Sequence, residues 1–526
     1  MNIRVRYAPS PTGLQHIGGI RTALFNFLFA RSAGGTFILR LEDTDRTRYD
    51  PAYEQNLYDT FSWLGIQWDE GPGRGGPFAP YVQSQRTETY RNVAGELLEG
   101  GSAYRCFCGT ERLEKVRAER EAAKSPETGY DRLCRNITRK ESDDRAAAGE
   151  SFTVRLRIPL DSPPSVTGFS DKLLGDIEWK NCDINPDPVL LKSDGFPTYH
   201  LANIVDDHLM GITHVLRAQE WLSSTPIHVI LYKALGWEPP VFCHLPMVMG
   251  QDGKKLSKRH GATSIDEFRR AGYLPGALIN YTALLGCSYE EGRDIYTAEE
   301  LGSLFSLEKL NKAPAVFDYK KLEWYNGHYI RAKSNDELAA LTLPWAVEQG
   351  LFGGGGKAEE PGAAVPAAMP ADEQKTLYGR AMELVRERAN FLPEIPAKLS
   401  YIFSEPPLPQ AEEFIPKKQD AAAALSLLRM GKELVPLFFP GGKATDDEET
   451  ERIVKDKAEK ENCKLGDLLM PLRVAITGSR VSPPLFASIR LLGAERCLAR
   501  IEAALSVLEK AAGVPSKERP AVDGAR

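Results

Sequence analysis

Residues 2–41 constrain the chain more tightly than any other stretch. Ile3, Val5 and Tyr7 alternate with Arg4 and Arg6, the period of a strand, and Pro9-Ser10-Pro11-Thr12-Gly13 then breaks it. Ile17, Ile20, Leu24, Phe27 and Leu28 recur at helical spacing as far as Arg31, Gly34-Gly35 stops the helix, and Phe37 to Leu41 makes a second strand. Strand, loop, helix and strand in so short a span is a βαβ unit. It predicts a parallel sheet with ligands beyond the carboxyl ends of its strands. The loop over 8–19 and the acidic run Glu42-Asp43-Thr44-Asp45 both fall at that end.

The rest of the chain is organised in blocks. At ~150 residues per domain, 526 residues imply three or four domains. Residues 104–193 read as an insertion, with a charged helix near 110–124 and short strands such as Phe152 to Leu156. From Thr198 strands and helices return: Thr213 to Arg217, a helix near 221–235, and Val241 to Met249. Beyond about 330 helical periodicity takes over, as in 374–391 and 485–511. Gly353 to Met369 reads as a flexible linker or surface insertion, and the last dozen residues as a disordered tail.

No apolar run approaches the ~20 residues of a membrane span, and the first ten residues carry no secretory signal. Eight cysteines are too sparse for a disulfide scaffold, so a reducing cytoplasm is expected. A net charge of −6 gives no hint of a polyanionic partner; any cationic site must be local.

Two local patterns carry chemistry. His16-Ile17-Gly18-Gly19 sits where a strand meets a helix, and a helix N-terminus offers N–H groups and a positive dipole end to phosphate. Much later, Gly253-Lys254-Lys255-Leu256-Ser257-Lys258-Arg259-His260-Gly261 is a cationic loop bounded by glycines. Taken alone it reads as a solvated basic turn, but such a loop can also fold over a triphosphate and offset charge on leaving pyrophosphate.

Together these patterns resemble the two signatures of class I aminoacyl-tRNA synthetases. With Ala8 to Gly13 and Leu39 to Asp45 they resemble the bacterial glutamyl-tRNA synthetases. The resemblance runs on through Phe196 to Asn203, Asp206-Asp207, Lys321 to Asn326 and Met470 to Ala475, so it covers most of the chain. It implies a multidomain protein: an α/β Rossmann-type catalytic domain split by an α+β insertion, then an all-α anticodon-binding region. The boundaries it suggests are catalytic halves over 1–103 and 196–255 around an acceptor-stem insertion over 104–195. A stem-contact region follows over 256–335, then helical domains over 336–415 and 416–512 and a tail over 513–526. The implied reaction activates L-glutamate with ATP and Mg2+ to glutamyl-adenylate and transfers it to the terminal adenosine of tRNA(Glu). A monomer without membrane attachment is expected.

By similarity, His16, Gly18, Gly19, Lys255, Lys258 and Arg259 are the catalytic set, and His16, Gly18, Glu220, Val248 and Lys258 hold ATP. Gly19 stands where the class pattern has a second histidine, so His16 carries the imidazole role alone. Arg6, Ala8, Ser10, Glu42, Arg48, Tyr199, Asn203 and Arg217 line the glutamate pocket, with Glu42 toward the ammonium. An arginine fork suits a carboxylate. Arg388, Ser482, Pro483 and Leu485 are the implied anticodon contacts, Arg388 favouring cytosine at the third base and hence rejection of glutamine tRNA.

Cys106, Cys108 and Cys134 lie in the insertion. Some relatives hold structural zinc there with a later C-x-H, where this chain has Asn136. Tyr130, four residues before Cys134, matches the ligand spacing of a short paralogue. Cys106, Cys108, Tyr130 and Cys134 are thus a candidate Zn2+ site, with a metal-free hairpin of reduced thiols as the alternative. A small-molecule nucleotidyltransferase, the short paralogue that glutamylates a modified tRNA base and an RNA-binding protein with a dead site are the other readings. The helical C-terminal region disfavours the first two, and retention of His16, Lys258 and Glu42 the third.

Overall fold

The computed structural model describes residues 2–124, 129–160, 165–352 and 371–513. The chain forms two compact units, Met1–Tyr325 and Asn326–Arg526. The linker expected over 353–369 and all but the first residue of the expected tail lie outside the described residues.

The first unit begins with the βαβ element read from the sequence. β1 (Arg4–Tyr7) and β2 (Thr36–Leu39) pair in parallel, Arg4 opposite Thr36 and Tyr7 opposite Leu39. The connecting helix α1 (Ile17–Ser32) packs Ile20, Leu24 and Leu28 into the core. In the insertion, β3 (Ala103–Cys106), β4 (Thr153–Leu156), β5 (Val166–Asp171), β6 (Gly175–Lys180) and β7 (Val189–Leu191) follow. After the insertion come β8 (His214–Ala218), β9 (Val241–Leu245) and β10 (Val248–Met249), and β11 (Ala315–Val316) pairs in parallel with β10.

The five insertion strands do not form one sheet. β3, β4 and β7 make an antiparallel sheet of their own, whereas the β5–β6 hairpin joins β9 and β8 in the order β6-β5-β9-β8. β8 and β9 are parallel, and β5 touches β9 where Asp171 faces Phe242. Thr213, just before β8, donates its N–H to the Arg4 carbonyl at 3.0 Å, which lays β8 beside β1. Residues far apart in sequence are thereby brought side by side, the β1–β2 pair lying next to the β6-β5-β9-β8 sheet.

The second unit is helical throughout its described residues. Its core gathers Leu428, Val454, Leu472, Ile489 and Ile501, each fully buried. The helix expected over 374–391 stops at Ala381 and continues as single turns, Met382–Leu384 and Arg386–Arg388. The chain leaves helical geometry at Val385 (φ −123°), which keeps Met382, Leu384 and Val385 in the core. The helix expected over 485–511 is two, Leu485–Leu492 and Ala494–Ala511, divided at Gly493 with φ 82°. The positive φ there, with ψ 161°, ends the first helix at a backbone conformation that costs glycine least. No helix among the described residues is long and apolar enough to cross a membrane.

Candidate functional site

The two phosphate-type motifs meet. His16 caps α1, its Nδ1 accepting the Gly19 N–H at 3.2 Å. Since Nδ1 is an acceptor, the ring proton sits on Nε2, which is left as a donor. Burial lowers the His16 pKa, and Lys255 lowers it further, so the imidazole is neutral near pH 7. Gly18 and Gly19 are small for a reason: a Cβ on Gly19 would lie 2.9 Å from the Tyr7 hydroxyl, and one on Gly18 would lie 3.2 Å from His16 Nδ1.

The basic loop is an excursion from β10, closed where Gly250 donates to the Lys254 carbonyl at 2.8 Å and Leu256 to Val248 at 3.0 Å. Lys258 to His260 then form a single turn capped by Ser257. The chain leaving this loop pairs with the first motif: Ile17 N–H donates to Thr263 at 2.9 Å and Ile265 N–H to Gln15 at 3.0 Å. Lys255 reaches across to Glu220, Nζ to Oε2 2.5 Å.

These elements border one cavity of ≈ 1190 Å³. Every residue assigned from the sequence to the catalytic, ATP and glutamate sets borders it except Arg259. Arg259 pairs instead with Asp252 at 3.2 Å, more than half exposed. Its charge can act on the cavity only from a distance, where solvent screens it. Arg48 borders the cavity from an exposed ion pair with Asp45, its side chain 71% accessible, whereas Arg6 and Arg217 are buried.

Beneath the pocket lies a charge network. Arg6 holds both carboxylate oxygens of Asp207, at 3.0 and 3.2 Å, and the Asn203 carbonyl oxygen at 3.2 Å. Arg40, fully buried, binds Asp207 at 2.7 Å and Glu42 at 3.0 Å. Burial would lower the Arg40 pKa, but Asp207, Glu42 and Asp206 together raise it, so it stays a cation. Burial raises the Glu42 pKa and outweighs the opposing pull of Arg40 and Arg6. A bound ammonium would shift it back down. Asp206 is satisfied by Gln83, Arg86 and Tyr90. Sequence reasoning missed Arg40; an arginine inside a strand pattern looks solvated, and only burial of both sheet faces shows otherwise.

Arg217, on β8, has a different shell. Its Nε donates to His244 at 3.1 Å, Nη1 to the Tyr199 hydroxyl at 3.0 Å and to His228 at 3.2 Å, and Nη2 to Thr225 at 2.8 Å. His228 in turn lies 3.3 Å from His200. Burial, then Arg217, lowers the pKa of both His228 and His200, the latter to about 4.

In the insertion, Cys106, Cys108 and Cys134 place their sulfurs within 4.8 Å of one another. Cys108 and Cys134 are 3.5 Å apart, and the Tyr130 hydroxyl lies 3.3 Å from Cys106 and 3.8 Å from Cys108. Burial pushes the Cys108 thiol up to about 12, while hydrogen bonds from Tyr130 and its neighbours outweigh burial and lower Cys106. Three sulfurs and a phenol oxygen converging on one point are a donor set that zinc accepts.

In the second unit, Arg388 donates to the Ser482 carbonyl at 3.2 Å, and Arg473 donates to the Ser482 hydroxyl at 2.8 Å and the Pro483 carbonyl at 3.1 Å. Arg388 is exposed, not on a helix but in a single turn. Leu485 does not share this surface; it is 4% exposed within the helical core, so its side chain cannot meet a base. Arg473 was not anticipated, although it stands in the quoted run Met470 to Ala475.

Comparison with known proteins bears on the whole chain. The family model for tRNA synthetases class I (E and Q), catalytic domain, matches residues 2–324, and an anticodon binding domain model matches 337–505. A glutamate-tRNA ligase of Treponema denticola is 57% identical over 511 residues, 96% of this chain and 99% of the relative. One from Borrelia recurrentis is 49% identical, covering 97% and 96%. A crystal structure of the glutamate-tRNA synthetase from Elizabethkingia anophelis superposes with a TM-score of 0.81 at 32% identity, covering 96% of this chain and all of that one.

Proposed function

This chain belongs to the class I glutamate-tRNA ligases, and from that premise we propose how its residues divide the reaction. The enzyme activates L-glutamate with ATP and esterifies tRNA. The ATP enters as its Mg2+ complex, which supplies part of the charge that the leaving pyrophosphate requires.

His16 donates Nε2–H to the ATP phosphates at the start of α1, where helix N–H groups already favour an anion. Lys258 follows the negative charge onto pyrophosphate, and Lys255 gives up Glu220 to do the same. Glu220 and Val248 flank the adenosine. Arg6 and Arg217 take the carboxylates of glutamate, Glu42 takes its ammonium, and Ala8, Ser10, Tyr199 and Asn203 shape the pocket. The substrate carboxylate attacks the α-phosphorus, the bond to pyrophosphate breaks, and glutamyl-adenylate forms. The terminal ribose hydroxyl of tRNA(Glu) then attacks the acyl carbon and AMP leaves. No protein nucleophile takes part; positioning and fixed charge supply the rate. Arg259 acts from outside the cavity.

The observation that carries this reading is the backbone pairing of residues 15–17 with 263–265, which brings both phosphate motifs to one cavity with Arg6, Glu42 and Arg217 at its base. The decisive experiment is aminoacylation of purified glutamate and glutamine tRNAs with labelled glutamate. Charging of the glutamate tRNA supports the reading, and its absence ends it. Arg388, with Ser482 and Pro483 held by Arg473, makes the enzyme discriminate against glutamine tRNA. Cys106, Cys108, Tyr130 and Cys134 hold a structural zinc that ties the hairpin of the insertion. The enzyme works as a cytoplasmic monomer, which light scattering of the purified protein tests.

A further inference from the structure

Among the buried arginines at or beneath the cavity, Arg6 and Arg40 are bound directly to carboxylates, Asp207 and Glu42, and Arg21 donates to the Leu285 and Pro246 carbonyls. Arg217 is 4% exposed, and all the acceptors it meets among the described residues are neutral: His244, His228, Tyr199, Thr225 and the Trp221 carbonyl. A buried cation normally needs a carboxylate. Here a carboxylate stands one step removed: His244 Nδ1 lies 2.6 Å from Asp171 Oδ2, with both side chains fully buried.

Guanidinium only donates, so His244 Nε2 must be an unprotonated acceptor and its proton must sit on Nδ1. Asp171 dictates that tautomer. Its Oδ1 accepts the N–H groups of Leu173 and Leu174, and its Oδ2 accepts the His244 N–H as well as Nδ1–H. Asp171 ends β5 in the hairpin that joins β9 and β8, so an insertion residue fixes a ring on β9.

We propose that Asp171 and His244 are positioning residues for substrate selection: they hold Arg217 by a neutral acceptor and so keep its full charge for the side-chain carboxylate of glutamate. This rests on the pocket reading above. A carboxylate entering the cavity replaces the weakest contact of Arg217, that to Trp221 at 3.5 Å, and meets an uncompensated cation. The neutral amide of glutamine gains no such attraction, so the arrangement sets the preference between the two.

Asp171→Asn tests it. With Oδ1 retained by Leu173 and Leu174, the new amide nitrogen faces His244, forces the proton to Nε2 and sets two donors against each other at Arg217. Aminoacylation of tRNA should show KM for glutamate raised about ten-fold or more, KM for ATP within about two-fold, and preference over glutamine reduced. His244→Gln supplies an amide oxygen in place of Nε2 and has no tautomer to control. In that background Asp171→Asn should change the glutamate KM by less than about two-fold, while loss of the acceptor for the 244 backbone N–H, common to both backgrounds, is read by thermal unfolding of each variant. Equal losses in both backgrounds would make Asp171 merely structural and overturn the proposal. An unchanged glutamate KM in Asp171→Asn would also overturn it if Arg217→Gln raises that KM. If Arg217→Gln has no effect either, the pocket reading falls first and takes the proposal with it.

Discussion

Ile17 donates its backbone N–H to the carbonyl of Thr263 at 2.9 Å, which staples the start of α1 to the exit of the KLSKR loop. The staple carries the loop to the cavity but does not bring all of its cations there. Lys258 borders it and Arg259 faces Asp252. Lys258→Ala should therefore lower kcat by about a hundred-fold or more, and Arg259→Ala by less than about ten-fold, in tRNA-dependent ATP-pyrophosphate exchange. Equal losses would show that Arg259 turns inward when ATP binds.

Gly19→Ala places a methyl 2.9 Å from the Tyr7 hydroxyl and within 3.8 Å of the His16 ring. The expected result is weaker ATP binding, seen as a KM for ATP raised about ten-fold, because His16 and the helix start must shift. Adding Tyr7→Phe removes the clashing oxygen and should recover part of the loss, at the cost of the bond from Tyr7 to Gln15.

The histidines of the first unit make its stability depend on acid. His16, His200, His228 and His244 all have pKa values lowered from 6.5 by burial first, His200 to about 4. The unfolded chain therefore binds protons that the folded chain refuses as pH falls below 6.5, and stability drops across the window from 6.5 toward about 4. Thermal unfolding followed from pH 7 to pH 4.5 should show a falling Tm. His200→Gln should flatten the slope, and a slope unchanged in that variant would show that this ring contributes nothing to it.

Protein purified without added zinc should carry about one equivalent of the metal, and less than about 0.2 would rule the site out. Chelation should lower Tm, and Tyr130→Phe should weaken retention less than Cys108→Ser, since a phenol is the poorer ligand.

Arg388→Gln should raise charging of glutamine tRNA relative to glutamate tRNA, because an amide does not enforce the base-edge pairing of a guanidinium. Arg473→Ala should loosen both, since Arg473 holds Ser482 and Pro483 in place. Unaltered tRNA preference in both variants would remove this corner from recognition.

Much of this protein was legible before any coordinates. The alternation of Ile3, Val5 and Tyr7 and the helical run from Ile17 to Leu28 specify a βαβ unit because hydrophobic period is a local property. The cavity lining was named instead through the resemblance to the glutamyl-tRNA synthetases, residue by residue. Gly493 was a visible break that the continuous pattern of 485–511 concealed, and Val385 ended a helix to satisfy packing that its neighbours in sequence do not encode.

What the sequence determined by itself was thus most of the elements and the two glycine-bounded motifs, since each depends on neighbours along the chain. What only the tertiary structure decided was partnership: that Arg40 is buried among Asp207, Glu42 and Asp206, that Arg259 turns to Asp252, that Leu485 is core, and that Asp171 of the insertion reaches Arg217 through His244. Charge and tautomer are set by distances of a few ångströms between residues far apart in sequence. Such distances exist only once the sheet has closed.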